Sequence, residues 1–287
     1  MIKKINYFLQ SIFIYLFFII SKIVGLKASR YIFSKIFITF GNLFKSKKII
    51  IKNLENIIPN LGNIERENLI NKMWSNYGKT FIEYAHLKSF KKKTSHIKIK
   101  NLEIISQLIK SKRPAIFISG HFANYELMSM ELVRANIKLA TIYRPLNNFF
   151  LNPLMEHVRK TYVCENQIKK GIGGVKDAIS LMQKNYSIAL MVDQRVSEGP
   201  RISLFNEAAH TTTLPAQLSM KVKCDIIPIY IARDKDDNFE MEILNPITTR
   251  IDGNKNKELL SLEINKVIEK LILRDPSQWI LTHNRWK

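Results

Sequence analysis

Residues 114–135 read PAIFISGHFANYELMSMELVRA. The first six are apolar with one terminal serine, rich in isoleucine and phenylalanine, and closed by Gly120, the pattern of a short strand buried on both faces. From Leu127 to Ala135 the apolar residues recur at helical spacing. The polar interruption between them, GHFANYE at 120–126, therefore sits where a strand hands over to a helix. A strand feeding a helix through a tight turn is the repeating unit of α/β folds. In such folds the loops at the carboxyl ends of strands carry the chemistry.

Outward from this unit the alternation continues. Short apolar segments at 96–100, 137–143, 187–192, 225–232 and 239–244 read as strands. Helical periodicity is expected over 64–86, after residue 100, over 151–162 and 174–184, and over 259–273. These segments predict an α/β domain over 46–287, with a central, mostly parallel sheet flanked by helices. The chain has 287 residues, 46% of them hydrophobic, which is enough for a large core in one domain. No internal repeat or low-complexity linker divides it.

The amino-terminal segment 1–45 reads differently. INYFLQSIFIYLFFIIS at 5–21 is free of charge and long enough to cross a hydrocarbon layer of about 30 Å. It is expected to be a membrane-anchoring helix. It either spans or, given Asn6 and Gln10, lies flat at the interface, a buried core helix being the remaining reading. Lys22, Lys27, Arg30 and Lys35 follow it while only Lys3 and Lys4 precede it. If it spans, this asymmetry leaves the main domain in the cytoplasm. YIFSKIFITFGNLF at 31–44 either extends the membrane contact through Phe33, Phe37 and Phe40 or packs on the domain.

A formal net charge of +21 suits anionic partners: phospholipid, nucleic acid or an acidic protein. Frequent Lys, Ile and Asn account for part of it. Nucleic-acid binding would need a basic, aromatic-bearing module such as an RRM signature or a zinc finger, and the sequence has none. Cys164 and Cys224 form no paired motif and read as buried reduced thiols. The six histidines show no HExxH spacing, so no metal is expected. GIGG at 171–174 lacks phosphate-loop spacing, follows no good strand and reads as a helix start.

His121 and Glu126 are five apart, which on a regular helix separates side chains by about 140°. Placing the histidine in the turn and the glutamate in the first helical turn would let the carboxylate hold one ring N–H while the other nitrogen accepts a proton. The same two residues also fit a structural histidine satisfied within a strand–helix turn.

The spacing His–four residues–Glu after an apolar strand resembles the signature of the glycerolipid and lysophospholipid acyltransferase superfamily. The surrounding sequence is similar to the late acyltransferases of bacterial lipid A biosynthesis, the lauroyl/myristoyl transferase family. NLENIIPN (53–60) with Trp74, Gly78 and Glu83 resembles that family's first block. YRPLNNFFLNPLMEHVR (143–159) and GIGGVKDAISLMQKNYSIALMVDQ (171–194) resemble the second and third. LFNEAAHTTTLPA (204–216) and PSQWILTHNRWK (276–287) complete the series, so the likeness covers roughly residues 50–287. Leu204 and Asn206 stand where the family usually has Phe and Gly, which is expected to alter an acyl or sugar pocket.

The resemblance implies an enzyme of the inner membrane, its catalytic domain facing the cytoplasm. It would move a fatty acyl chain from acyl carrier protein, or from coenzyme A, to a hydroxyl of a lipid A precursor, without a cofactor. A lysophospholipid, phosphatidylinositol mannoside or aminolipid is the alternative acceptor. His121 with Glu126 would supply the general base, and Arg144 and Arg159 would bind phosphate. Asp193, at a second strand end, would hold the acceptor or an arginine, and Thr211 would hydrogen-bond substrate. A thioester is already activated, and neither Ser119 nor either cysteine lies in a nucleophile elbow, so direct transfer is expected.

Overall fold

The structure, a computed structural model, describes residues 2–247 and 256–287. Its amino-terminal third is helical: α1 (Ile2–Val24), α2 (Leu26–Phe44), α3 (Lys47–Ile57), α4 (Asn63–Glu83) and α5 (Leu87–Lys92). Strands and helices then alternate as β1 (Ile97–Lys100), α6 (Leu102–Ser111), β2 (Ile116–Ser119), α7 (Glu126–Arg134), β3 (Leu139–Tyr143), α8 (Asn152–Tyr162) and β4 (Asn166–Lys169). There follow α9 (Ile172–Gln183), β5 (Ser187–Met191), the hairpin β6 (Arg201–Leu204) and β7 (Glu207–His210), and α10 (Leu214–Val222). The chain closes with β8 (Ile226–Arg233), β9 (Phe239–Ile243) and α11 (Lys257–Arg274).

Among the described residues the main sheet has seven strands in the order β1-β9-β8-β2-β5-β3-β4. Every neighbouring pair is parallel except β8 with β9. Side chains alternate across the sheet. Ile116, Ile118, Ile188 and Leu190 enter one core with Trp74, Ala178 and Ile264, while Phe117, Ala189, Ile227 and Ile229 enter another with Leu127 and Leu132. Helices cover both faces, which is why the central strands read as unbroken apolar runs.

The second helix belongs to this packed body. Phe33 lies against Phe17 and Phe81, and Phe37 against Trp74, Tyr77 and Phe81. Of the three phenylalanines expected at the membrane, only Phe40 is exposed, at 48%. Gly78 explains the fit: a Cβ there would stand 2.3 Å from the Phe33 carbonyl oxygen, so no larger residue allows α2 and α4 to cross this closely.

The first helix is apolar and long enough to cross a membrane. It also rests on the domain over most of its length. Tyr7 and Phe8 meet Phe149 and Phe150, Tyr15 Oη donates to the Phe150 carbonyl, Phe18 meets Phe81, and Ser21 Oγ lies 2.6 Å from His86 Nε2.

Candidate active site

Strand register builds the site. In the parallel pair β2–β5, Ser119 stands opposite Met191, and Val192 N–H donates to the Ser119 carbonyl. Two residues beyond each strand end come His121 and Asp193, which the shared register brings face to face. His121 Nδ1 lies 2.7 Å from Asp193 Oδ1, and the backbone N–H of His121 donates to Oδ2 at 2.8 Å. Trp279 Nε1 donates to the same Oδ2 at 2.7 Å. Gly120 makes the approach possible, since a Cβ would sit 2.7 Å from the Phe122 ring and 3.3 Å from Asp193 Oδ2.

Asp193 has a wholly buried side chain. Burial pushes its carboxyl up, but the imidazole beside it and the hydrogen bonds from His121 and Trp279 outweigh that and hold it below its usual value. The aspartate is therefore an anion that receives Nδ1–H. Nε2 is left as the basic nitrogen, with Gln194 Nε2 at 3.4 Å.

Glu126 does not hold the histidine. As the first residue of α7 its carboxylate accepts from Tyr84 Oη at 2.6 Å and from Arg159 Nε at 2.8 Å. The expected His121–Glu126 pairing is thus replaced by two separate pairs, His121 with Asp193 and Arg159 with Glu126. The cause is the register: β5 delivers a carboxylate to Nδ1, whereas α7 carries Glu126 toward α8. Burial opposes the charge on Arg159, but Glu126 and the two tyrosines Tyr84 and Tyr125 raise its pKa above the ordinary value. Asp193, expected to meet acceptor or arginine, instead orients the imidazole.

The turn between them is braced from behind. Ala123 adopts a left-handed φ of 41°, with its N–H donating to the Gln278 carbonyl and its own carbonyl accepting from Thr80 Oγ1. Asn124 Nδ2 donates to Glu83 Oε2 at 2.9 Å. Glu83 is fully buried and also receives Arg30 Nε at 2.6 Å and Arg233 Nη2 at 3.0 Å. One carboxylate thereby ties α2, α4, β8 and the GHFANYE turn.

Thr211 is buried, and its hydroxyl is used inside the fold: it donates to the Ala209 carbonyl and accepts from Arg285 Nη2 and Asn265 Nδ2. Its expected contact with substrate is corrected accordingly. Arg144 is exposed, and among the described residues no hydrogen bond or ion pair holds its side chain.

Two cavities meet at His121. One, of about 380 Å³, is mainly apolar and runs between α1, α4 and α8, lined by Ile14, Phe18, Phe81, Leu154 and Met155 among others. The second, of about 520 Å³, is more polar and holds Arg144, Gln194, Arg195, Thr282 and His283. His121, Tyr125 and Arg159 line both. The ring of Tyr125 packs edge-on against the imidazole, with centroids 4.6 Å apart.

A family model described as bacterial lipid A biosynthesis acyltransferase matches residues 2–287. The chain belongs to this family. It is an acyltransferase. The chain is 24% identical over 243 residues to a lipid A biosynthesis acyltransferase 2 of Shigella flexneri, covering 82% of this chain and 76% of that protein. It is equally 24% identical to a lipid A biosynthesis lauroyltransferase and to a palmitoleoyltransferase of Escherichia coli (strain K12). These cover 84% and 85% of this chain, and 78% and 80% of the relatives.

Leu204 and Asn206, expected to depart from the family pattern, line neither cavity, whereas Gln194 and Arg195, after Asp193, line the polar one. Leu204 is buried and its carbonyl accepts from Trp286 Nε1, while Phe205 and Asn206, at φ of 53° and 61°, form the two-residue turn between β6 and β7. Two successive positive φ angles suit a tight hairpin, and asparagine tolerates them. The expected effect on a substrate pocket is replaced by an effect on a hairpin. Sequence reading also missed Tyr84, Tyr125, Gln194 and Trp279. Tyr125 and Gln194 lie within motif blocks, beside His121 and Asp193, and that adjacency was the available signal.

Proposed function

We propose that this lipid A biosynthesis acyltransferase takes a fatty acyl chain from an acyl carrier protein thioester and transfers it to a hydroxyl of a membrane-held lipid A precursor, with His121 as general base. One observation carries the reading: His121 Nδ1 lies against Asp193, and the same histidine lines both an apolar and a polar cavity. The apolar cavity suits the acyl chain and the polar one the phosphorylated sugar or the phosphopantetheine arm.

The acceptor hydroxyl gives its proton to Nε2 as its oxygen attacks the thioester carbonyl. Asp193 stabilises the imidazolium so formed. Collapse of the tetrahedral intermediate breaks the carbon–sulfur bond, and the imidazolium returns its proton to the departing thiolate. The enzyme ends unchanged, leaving an ester and a free thiol. No acyl-enzyme is required.

Arg144, exposed and unengaged among the described residues, is the phosphate contact of first choice. Arg159 is committed to Glu126, and the pair shapes the wall shared by both cavities. An acidic carrier protein suits a chain of net charge +21. We place the enzyme at the bacterial inner membrane with its site on the cytoplasmic side, where carrier thioesters are made.

Purified protein offered labelled acyl carrier protein or coenzyme A thioesters, with a lipid A precursor or a lysophospholipid, tests this directly. Transfer to the precursor from the carrier thioester is expected, falling about 10²–10⁴-fold in His121→Ala. Transfer only to lysophospholipid, or full activity of His121→Ala, overturns the acceptor or the base respectively.

A further inference from the structure

Helix α1 buries two serines against the domain and leaves a stripe of large apolar side chains exposed, the reverse of a helix on a water-soluble surface. Ser11 and Ser21 are buried, and Gln10, Ile14 and Phe18 line the apolar cavity. The opposite stripe, Ile5, Leu9, Ile12, Leu16, Ile19 and Ile23, is 45–78% exposed. These steps of three and four residues keep one continuous apolar face turned away from the protein. At its ends stand the exposed lysines Lys3, Lys4, Lys22 and Lys27.

We infer that α1 does not cross the bilayer but lies in the plane of one leaflet, its outer stripe sunk into the acyl region of an anionic lipid surface, so that the apolar cavity opens at the level of the lipid chains. The inference rests on the membrane placement proposed above and fixes its geometry. Docking decides between the two orientations. The contacts from Tyr7 with Phe149 to Ser21 with His86 span 14 residues, about 21 Å of helix at 1.5 Å per residue. A helix standing across the bilayer would carry the domain surface beside it into the hydrocarbon. That surface includes Lys88, which lines a cavity against Tyr15, Ile19 and Lys22, and Arg159, which lines the apolar cavity with Gln10, Ile14 and Phe18. Charges at that depth are costly. Lying flat, the same helix buries only its apolar stripe, and the flanking lysines meet head-group phosphates. The exposed Phe149, packed on Tyr7, extends the apolar face at one end.

Sidedness tests this on the full chain. Lys4→Cys and Lys27→Cys bracket the helix, and the native Cys164 and Cys224 are buried, giving a low background. A membrane-impermeant maleimide is applied to inside-out vesicles and to right-side-out spheroplasts, with wild type as control. Both positions are expected to label in the inside-out vesicles and neither in the spheroplasts. Position 4 failing to label from the cytoplasmic face, whether or not it labels from the other, overturns the in-plane placement. Nitroxides at Ile5→Cys, Ile12→Cys and Ile19→Cys in phosphatidylethanolamine–phosphatidylglycerol vesicles give a second reading. One common depth supports the inference, and a depth that passes through a maximum at position 12 refutes it. Protein that fails to float with these vesicles refutes the membrane reading itself, while acyl transfer by the same variants tests the catalytic reading separately.

Discussion

Asp193→Asn replaces one oxygen by an NH₂ group, and the hydrogen bonds dictate where that group must go. Oδ2 accepts two N–H donors, the His121 backbone and Trp279 Nε1, at 2.8 and 2.7 Å. The amide oxygen must take that place, since an NH₂ there would face both donors. The NH₂ then occupies the Oδ1 position, 2.7 Å from Nδ1, and donates where it formerly accepted. A neutral imidazole in that setting keeps its proton on Nε2, so the nitrogen facing substrate is no longer a base. The negative charge opposite the developing imidazolium is lost in the same step. A correctly folded enzyme with the wrong tautomer should lose about 10³–10⁴ in kcat, roughly 4–5.5 kcal/mol of transition-state stabilisation. The volume and two of the three hydrogen bonds survive, so stability should fall by only about 1–3 kcal/mol. Labelled acyl transfer under saturating substrates, with thermal unfolding in parallel, measures both quantities. An Asp193→Asn enzyme with unchanged kcat, or one that simply fails to fold, refutes the orienting role.

Glu126→Ala leaves the half-buried Arg159 guanidinium without its carboxylate, so it should destabilise by about 1–3 kcal/mol, visible in denaturant unfolding; a variant as stable as wild type argues against the Glu126–Arg159 pair. Arg144→Ala should raise KM for a phosphorylated acceptor with little change in kcat, and Arg144→Lys should restore part of it, because a charge remains without the planar fork. Equal KM values in all three forms remove Arg144 from phosphate binding. Burial beside Arg134 and Arg30 lowers the His96 pKa from 6.5 to about 4. The unfolded chain therefore binds a proton that the folded one refuses between these values, so stability should fall as pH drops from about 6.5 toward 4. Unfolding followed across that window in wild type and His96→Gln should show a shallower slope in the variant, and identical slopes would exclude His96 as a source.

The central sheet was legible because its strands are covered on both sides. PAIFIS and SIALMV are apolar but for one terminal serine each, the mark of a short strand covered on both faces. The edge strand β4 was not legible: NQIK has one buried side chain, Ile168, and among the described residues it pairs with β3 alone. Its absence from the sequence reading also made GIGG look as though it followed no strand. The β6–β7 hairpin hid because its turn is Phe-Asn rather than a glycine pair. At the site, the identity of the histidine was carried by its position after β2. Its partner was not, because Asp193 lies 72 residues downstream, and only the offset between β2 and β5 selects it over the nearer Glu126. Local spacing cannot report a contact that two strands create.

Trp279, which fixes Asp193, and Gln278, whose carbonyl holds Ala123, both come from a segment that leaves the ribosome long after the histidine and the aspartate have emerged. Asn53 Nδ2 fastens that segment through the carbonyls of Leu281 and His283, and Arg285 through that of His210. Synthesis and competence are therefore separated in time. A nascent chain can already form its apolar first helix while His121 and Asp193 still lack the support of Trp279 and Gln278. The same arrangement makes residues 278–285 a point of shutdown: a protease that removes them would strip Trp279 from Asp193 and Trp279 and Leu281 from the core at once.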